Sequence, residues 1–257
     1  MATKKTMTNE QLRAKKSSDA VVYRVMFALF ALCAVLLGLR ALRNYYTTVE
    51  GFSALYDRTP TIAIAGLVIA AIGLIALLVV KHRVVRGCAP WVLIFGLIVA
   101  ATGWNMRVSG INDFSFLFYL CLAVVVQYII FQLYRWEFFL FSLSTVAAGG
   151  VFFSFSRGIY WTTKNIVLLI ILALILVGTA MISNLASHNK GCLSLGRGRV
   201  QLFPDRTTPV LIYIVNVLWL VCTIAIPLLG GLFAYYCMFA AIAVEFIAAV
   251  YYTFQLN

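Results

Sequence analysis

The sequence predicts an all-α polytopic transmembrane helix bundle of eight spans, with both chain ends on the cytoplasmic side. Three observations predict it. Of the 257 residues, 63% are apolar and only 11% are charged, against about 45–50% and about 25% in soluble domains. Eight stretches approach the roughly 20 apolar residues that a helix needs to cross the bilayer. Lys and Arg concentrate in alternate connections between them, as retention of positive charge on the cytoplasmic side requires. With a mean hydropathy of +0.99, the chain is not a soluble globular enzyme, a disordered chain or a fibrous protein.

By the length rule the spans fall at 21–41, 61–80, 89–106, 114–134, 137–156, 165–184, 209–229 and 232–254. Residues 1–20 are polar and basic, a cytoplasmic N-terminal segment that is either frayed or an interfacial helix. The first span is too long for the apolar region of a signal peptide and is followed by Arg40 and Arg43, so it reads as an anchor that stays in place. The outer connection 42–60 carries Glu50, Asp57 and Arg58. The second span holds no charge and no Asn, Gln or Pro, and Gly66, Ala70 and Gly73 offer a small-residue packing stripe. The third is bracketed by Pro90 and Trp104-Asn105-Met106-Arg107. The fifth is the most diluted, with Ser142, Ser144, Thr145, Gly149, Gly150, Ser154 and Ser156. Before the seventh span, residues 185–208 form the longest inner connection. The alternation Cys192-Leu193-Ser194-Leu195, then glycines, then Val200-Gln201-Leu202-Phe203 predicts a small hairpin there. Residues 21–257 thus read as a single transmembrane domain.

With the N-terminus inside, 14 of the 20 Lys and Arg residues lie in inner segments and 6 in outer ones. Aromatic residues flank the span ends, as they favour both interfaces. The net charge of +12 follows from this topology and forms no continuous basic stripe, so nucleic acid is not an expected partner. Lys81, Arg83, Arg86, Arg197 and Arg199 on the inner collar are candidates to meet anionic lipid head groups.

Among the eight acids, only Glu245 lies deep in a span. A charged group there costs at least about 2.5–3 kcal/mol on insertion scales and turns toward protein or water. Ala241, Ala248, Ala249 and Tyr252 share its helical face, and small residues let a neighbouring backbone approach. Gln127 and Asn216 lie at a similar depth, each about 3–5 Å from its span midpoint at ~1.5 Å per residue. Two readings follow. In the first, each makes a local hydrogen bond that joins helices. In the second, Gln127, Asn216 and Glu245 converge on a polar binding centre. Span five offers Ser142, Thr145 and Gly149 on one stripe, with Gly150 adjacent: close helix packing, or a helix broken at a binding site.

The stretch Gly191 to Arg199 resembles a phosphate-binding loop only superficially. Arg197 and Gly198 stand where a Lys and a hydroxyl are needed. The six cysteines contain no CxxC pair, and His82 and His188 show no metal-ligand spacing. No Ser/His/Asp set can be placed, and nothing points to a cofactor or a metal. The leading expectation is a non-enzymatic subunit, scaffold or assembly partner in the cell membrane, plasma or bacterial inner. Its expected partners are membrane lipids and another membrane protein or a second copy of the chain. The alternative is a small-solute or ion transporter using the Glu245 region; an intramembrane enzyme comes last. A transporter calls for a water-accessible cavity reaching Gln127, Asn216 or Glu245. A scaffold calls for a dry core and an apolar groove or flat face for a partner.

Overall fold

A computed structural model describes residues 9–80, 83–109, 114–157, 162–189, 191–195, 198–203 and 209–254. Among them are nine helices and one two-stranded hairpin: α1 (Asn9–Tyr46), α2 (Val49–Tyr56), α3 (Thr59–Val79), α4 (Arg83–Ser109), α5 (Phe114–Leu133), α6 (Trp136–Phe155), α7 (Thr163–His188), β1 (Cys192–Leu195), β2 (Gly198–Gln201), α8 (Val210–Leu229) and α9 (Gly231–Phe254). All but α2 are long and apolar enough to cross a membrane, eight in all. Helices are the form that pairs every backbone N–H and C=O within one lipid-embedded segment. The chain is therefore an all-α, multi-pass membrane protein with one short hairpin.

The boundaries depart from the length rule where chemistry other than hydropathy governs them. α1 starts at Asn9 and runs unbroken into the first span. α4 begins at Arg83, which places Pro90 inside the helix rather than at its start. The connection 42–60 contains α2, whose first turn is capped: the Thr48 hydroxyl accepts from the Gly51 amide at 3.1 Å. The Cys192–Gln201 hairpin forms as expected, with Leu193 opposite Val200 and Ser194 opposite Arg199. Gly191 enters it at φ +79°, and its carbonyl accepts from the amides of Leu202 and Phe203. Leu202 and Phe203 are buried in the main core, so the hairpin is anchored on the end of the bundle where α7 stops.

The span densest in serine and threonine is the centre of the molecule. In α6, 72% of the most apolar window is buried; in the other seven spans the share is 11–33%. α6 packs against α5, α7, α8 and α9. Phe138, Ala148, Phe152 and Phe155 on α6 form the main core with Leu172 on α7, Ile212, Trp219 and Ile226 on α8, and Ala234 and Ala241 on α9. Its serines, threonine and glycines do not weaken it, because its neighbours are protein and not lipid. Small residues admit four helices to close range, and hydroxyls find partners there. α6 is continuous through Gly149 and Gly150; of the two readings, packing or a break, the helix shows packing, against Tyr119, whose hydroxyl oxygen lies 2.8 Å from where a Gly149 Cβ would stand.

α3 and α4 form a separate antiparallel hairpin. A methyl built on Gly66 would lie 2.3 Å from the Ala100 nitrogen; one on Gly96 would lie 2.3 Å from the Ala70 nitrogen. Gly73 meets Leu93 and Gly103 meets Ala63 in the same way. The stripe on α3 is therefore answered by Gly96, Ala100 and Gly103 on α4, a reciprocal seam of small residues. The hairpin meets the rest of the bundle through α4, along α5 and α7. A second, smaller core joins Leu39 and Tyr46 of α1, Met106 of α4, and Phe114, Leu117 and Cys121 of α5.

Candidate functional site

α6 carries polar groups on two faces. On one, Gln127 Nε2 of α5 donates to Ser142 Oγ at 2.6 Å, and Ser142 Oγ donates to Glu245 Oε1 of α9. Ser142 is fully buried. Two oxygens beside this relay, Gln127 Oε1 and Glu245 Oε2, are buried with no hydrogen-bond partner among the described residues. Ala241, Ala248 and Tyr252, which share the Glu245 face, are buried, so α9 presents that face to the bundle. Tyr119 of α5 borders the same region and donates to the Val146 carbonyl at 2.8 Å.

On the other face, Asn216 of α8 donates through Nδ2 to Thr179 Oγ1 of α7 at 3.0 Å and to the Leu176 carbonyl at 3.2 Å. Thr179 also bonds Ser144 of α6 at 3.2 Å. Next to it, Trp219 Nε1 donates to Thr145 Oγ1 at 3.3 Å. The structure thus brings Gln127 and Glu245 together through Ser142 and holds Asn216 apart, in a network that joins α6, α7 and α8. Depth along a helix is readable from residue number; rotation about the axis is not, and α8 turns Asn216 toward α7. Ser142 is the residue that sequence reasoning placed in a packing stripe and not at the centre. The signal available was its position one turn and a half into the helix that has the fewest lipid-compatible side chains.

Two further contacts tie the ends of α6. Tyr252 Oη donates to Glu137 Oε1 at 3.0 Å, which places α6 and α9 antiparallel with Ser142 opposite Glu245. At the far end, Ser154 Oγ donates to Asn165 Oδ1 of α7 at 2.6 Å. Asn165 and Asn105 are buried, and neither was singled out from the sequence.

A cleft of about 1710 Å³ opens between the α3–α4 hairpin and the α5–α6–α7 wall. On α5 it runs from Phe116 through Leu120, Ala123, Gln127 and Phe131 to Gln132, sixteen residues or about 24 Å at 1.5 Å per residue. Its wall is overwhelmingly apolar, with the small residues Ala101, Ala123 and Ala147 on α4, α5 and α6 among those lining it. Arg24 lies at one end and Lys164, whose ammonium sits 5.3 Å from the Phe116 ring centre, at the other. Gln127 lines the cleft; Asn216 and Glu245 do not.

Among the described residues no group of three or more His, Cys, Asp or Glu is placed to hold a metal ion. Of the residues resembling a phosphate-binding loop, Cys192–Leu195 and Gly198–Arg199 lie in the antiparallel strands β1 and β2, not in a strand that feeds a helix, and Gly196 and Arg197 lie outside the described residues. Of the candidate head-group contacts, Arg83 and Arg86 open α4 and Arg199 lies in β2, whereas Lys81 and Arg197 lie outside the described residues. No known protein family, curated protein or solved structure matches the chain.

Proposed function

We infer that this multi-pass membrane protein is a non-enzymatic subunit that seats one transmembrane helix of a partner protein in the cleft beside α5. The cleft carries this reading. It follows α5 for about 24 Å, most of the ~30 Å hydrocarbon thickness, whereas a single lipid occupies one leaflet. A cylinder about 10 Å wide, the width of a helix with its side chains, encloses roughly 1,900 Å³ over that length. That is the order of the 1710 Å³ available and beyond the ~300–1,000 Å³ of small-molecule pockets. Ala101, Ala123 and Ala147 on three of its helices suit close approach of another helix. In the cell, the charge distribution orients both termini toward the cytoplasm of a plasma or bacterial inner membrane.

Site-specific photocrosslinking tests the reading. A photoreactive residue at Ala123, inside the cleft, captures one membrane protein, and Ala147→Phe, which fills the cleft, abolishes the product. The same residue at Ile72, on the exposed outer side of α3, does not capture it. Equal capture at both positions, or only lipid adducts at Ala123, overturns the proposal.

A second reading, ion or small-solute transport, is favoured by one observation: the buried Gln127–Ser142–Glu245 relay. Against it, the cleft reaches Gln127 through an apolar wall and not through a water-lined path. Flux measured in proteoliposomes and lost in Glu245→Gln with the fold retained would establish this reading in place of the first.

A further inference from the structure

We propose that Gln127, Ser142 and Glu245 form a proton-binding site, in which one proton on the Glu245 carboxyl closes a ring of three hydrogen bonds. The directions of the existing bonds lead there. The Gln127 amide donates to Ser142 Oγ, and Ser142 in turn donates to Glu245 Oε1. The relay ends on the carboxyl group and leaves two oxygens over, Glu245 Oε2 and Gln127 Oε1, both buried and without a donor. An amide oxygen and a carboxylate oxygen are acceptors only, so they do not satisfy each other. One proton changes that: Glu245 Oε2–H becomes a donor and Gln127 Oε1 its acceptor. The cycle Gln127 N–H to Ser142, Ser142 O–H to Glu245, Glu245 O–H to Gln127 then gives both left-over oxygens a partner. Only an O–H bond on Glu245 is formed, from the carboxylate and one solvent proton.

Among the described residues no cation is paired with the carboxylate; the nearest along α6 is Arg135, exposed at its N-cap and seven residues, about 10 Å, from Ser142. α5, α6, α8 and α9 contain no Lys, Arg or His. In the spanning part of α7, the one cation is Lys164, beside the Asn165 that bonds Ser154, about 18 Å along α6 from Ser142 at 1.5 Å per residue. The titratable groups on the adjoining helices are otherwise engaged or neutral in kind. On α5, Tyr119 donates to the Val146 carbonyl; on α6, Glu137 accepts from Tyr252 of α9; α8 has Tyr213 and Cys222. A buried charge without a paired cation is disfavoured in hydrocarbon, and uptake of a proton removes it. Because Gln127 also lines the cleft, the proton sits one side chain behind the cleft wall. This assignment does not depend on what fills the cleft.

The chain contains only four glutamates, Glu10, Glu50, Glu137 and Glu245, which makes a direct test practical on the intact protein. Glutamate labelled with carbon-13 at the side-chain carboxyl is incorporated, and the protein is studied by solid-state NMR in sodium-free lipid bilayers at pH 7. The proposal predicts a protonated-carboxyl resonance that persists in Glu137→Gln and moves in Gln127→Leu, which removes the ring acceptor. It is overturned by every carboxyl being ionised at pH 7, by a protonated signal lost in Glu137→Gln, or by a signal unmoved in Gln127→Leu. Loss of the signal on adding sodium chloride at constant pH also overturns it, since it identifies the site as one for a metal cation.

Discussion

Replacing Gly66 by Ala drives the α3–α4 hairpin apart. The new Cβ would stand 2.3 Å from the Ala100 nitrogen and 2.7 Å from its Cα. Both are backbone atoms of a continuous helix, so no side chain can swing aside. Restoring the 3.4 Å edge of ordinary contact requires the two helices to separate by about 1.1 Å, and a gap of that size forfeits up to about half of each 0.1–0.2 kcal/mol atom-pair attraction. Losing about 2 kcal/mol then corresponds to on the order of 25 atom pairs, roughly half of what one buried Leu makes. Small-to-large changes in packed sites cost about 1–3 kcal/mol, in agreement. Gly178→Ala is the matched control, since nothing lies within 4 Å of its added methyl. SDS titration of the protein in mixed micelles reads the difference. Gly66→Ala should lose about 1–3 kcal/mol and Gly178→Ala less than about 0.5 kcal/mol. Because Gly96 faces Ala70 and the Gly66 carbonyl across the same seam, Gly66→Ala/Gly96→Ala should cost less than the sum of its parts. Equal stability of Gly66→Ala and Gly178→Ala would refute the close seam.

Two further outcomes follow from α6. A methyl on Gly149 meets the Tyr119 hydroxyl at 2.8 Å, so Gly149→Ala should destabilise by about 1–2 kcal/mol; adding Tyr119→Phe, which removes the clashing oxygen, should recover part of it in the same titration. Trp219→Phe keeps an aromatic ring but gives up the 3.3 Å bond to Thr145 and part of the buried indole volume, and should cost about 1–2 kcal/mol. Trp219→Ala empties a fully buried site and should cost about 3–5 kcal/mol. A Phe variant as damaging as the Ala variant would show that the hydrogen bond, not the ring, holds α8 to α6.

What could be read from the sequence was what a single helix decides by itself. Apolar length sets where spans begin and end, so Phe114–Leu133 and Val210–Leu229 differ by one residue from the runs 114–134 and 209–229. The inward face of α9 was legible from Ala241, Ala248 and Tyr252 around Glu245, because residues three, four and seven apart share a face. What depends on neighbours was hidden. Hydropathy ranks α6 among the weaker spans because it measures fitness for lipid, whereas α6 is solvated by four other helices. Gln127, Asn216 and Glu245 lie at similar depth, yet rotation of α8 sends Asn216 to Thr179. The Ser142 bridge needed α5, α6 and α9 together, and the cleft is a property of how α4, α5, α6 and α7 pack on one another. The short α2, set by the Thr48 cap, lacks the length that marks a span.

The most direct test of the central claim, an even number of crossings around a buried α6, is labelling of single introduced cysteines with a membrane-impermeant maleimide in intact and opened cells. The background is a cysteine-free variant, with new cysteines at Thr6, Asn44, Ser156 and Gln255. Eight crossings predict that Thr6→Cys and Gln255→Cys react only after the cells are opened, while Asn44→Cys and Ser156→Cys react in intact cells. Labelling of Gln255→Cys in intact cells, with Thr6→Cys protected, would mean an odd number of crossings and contradict the account.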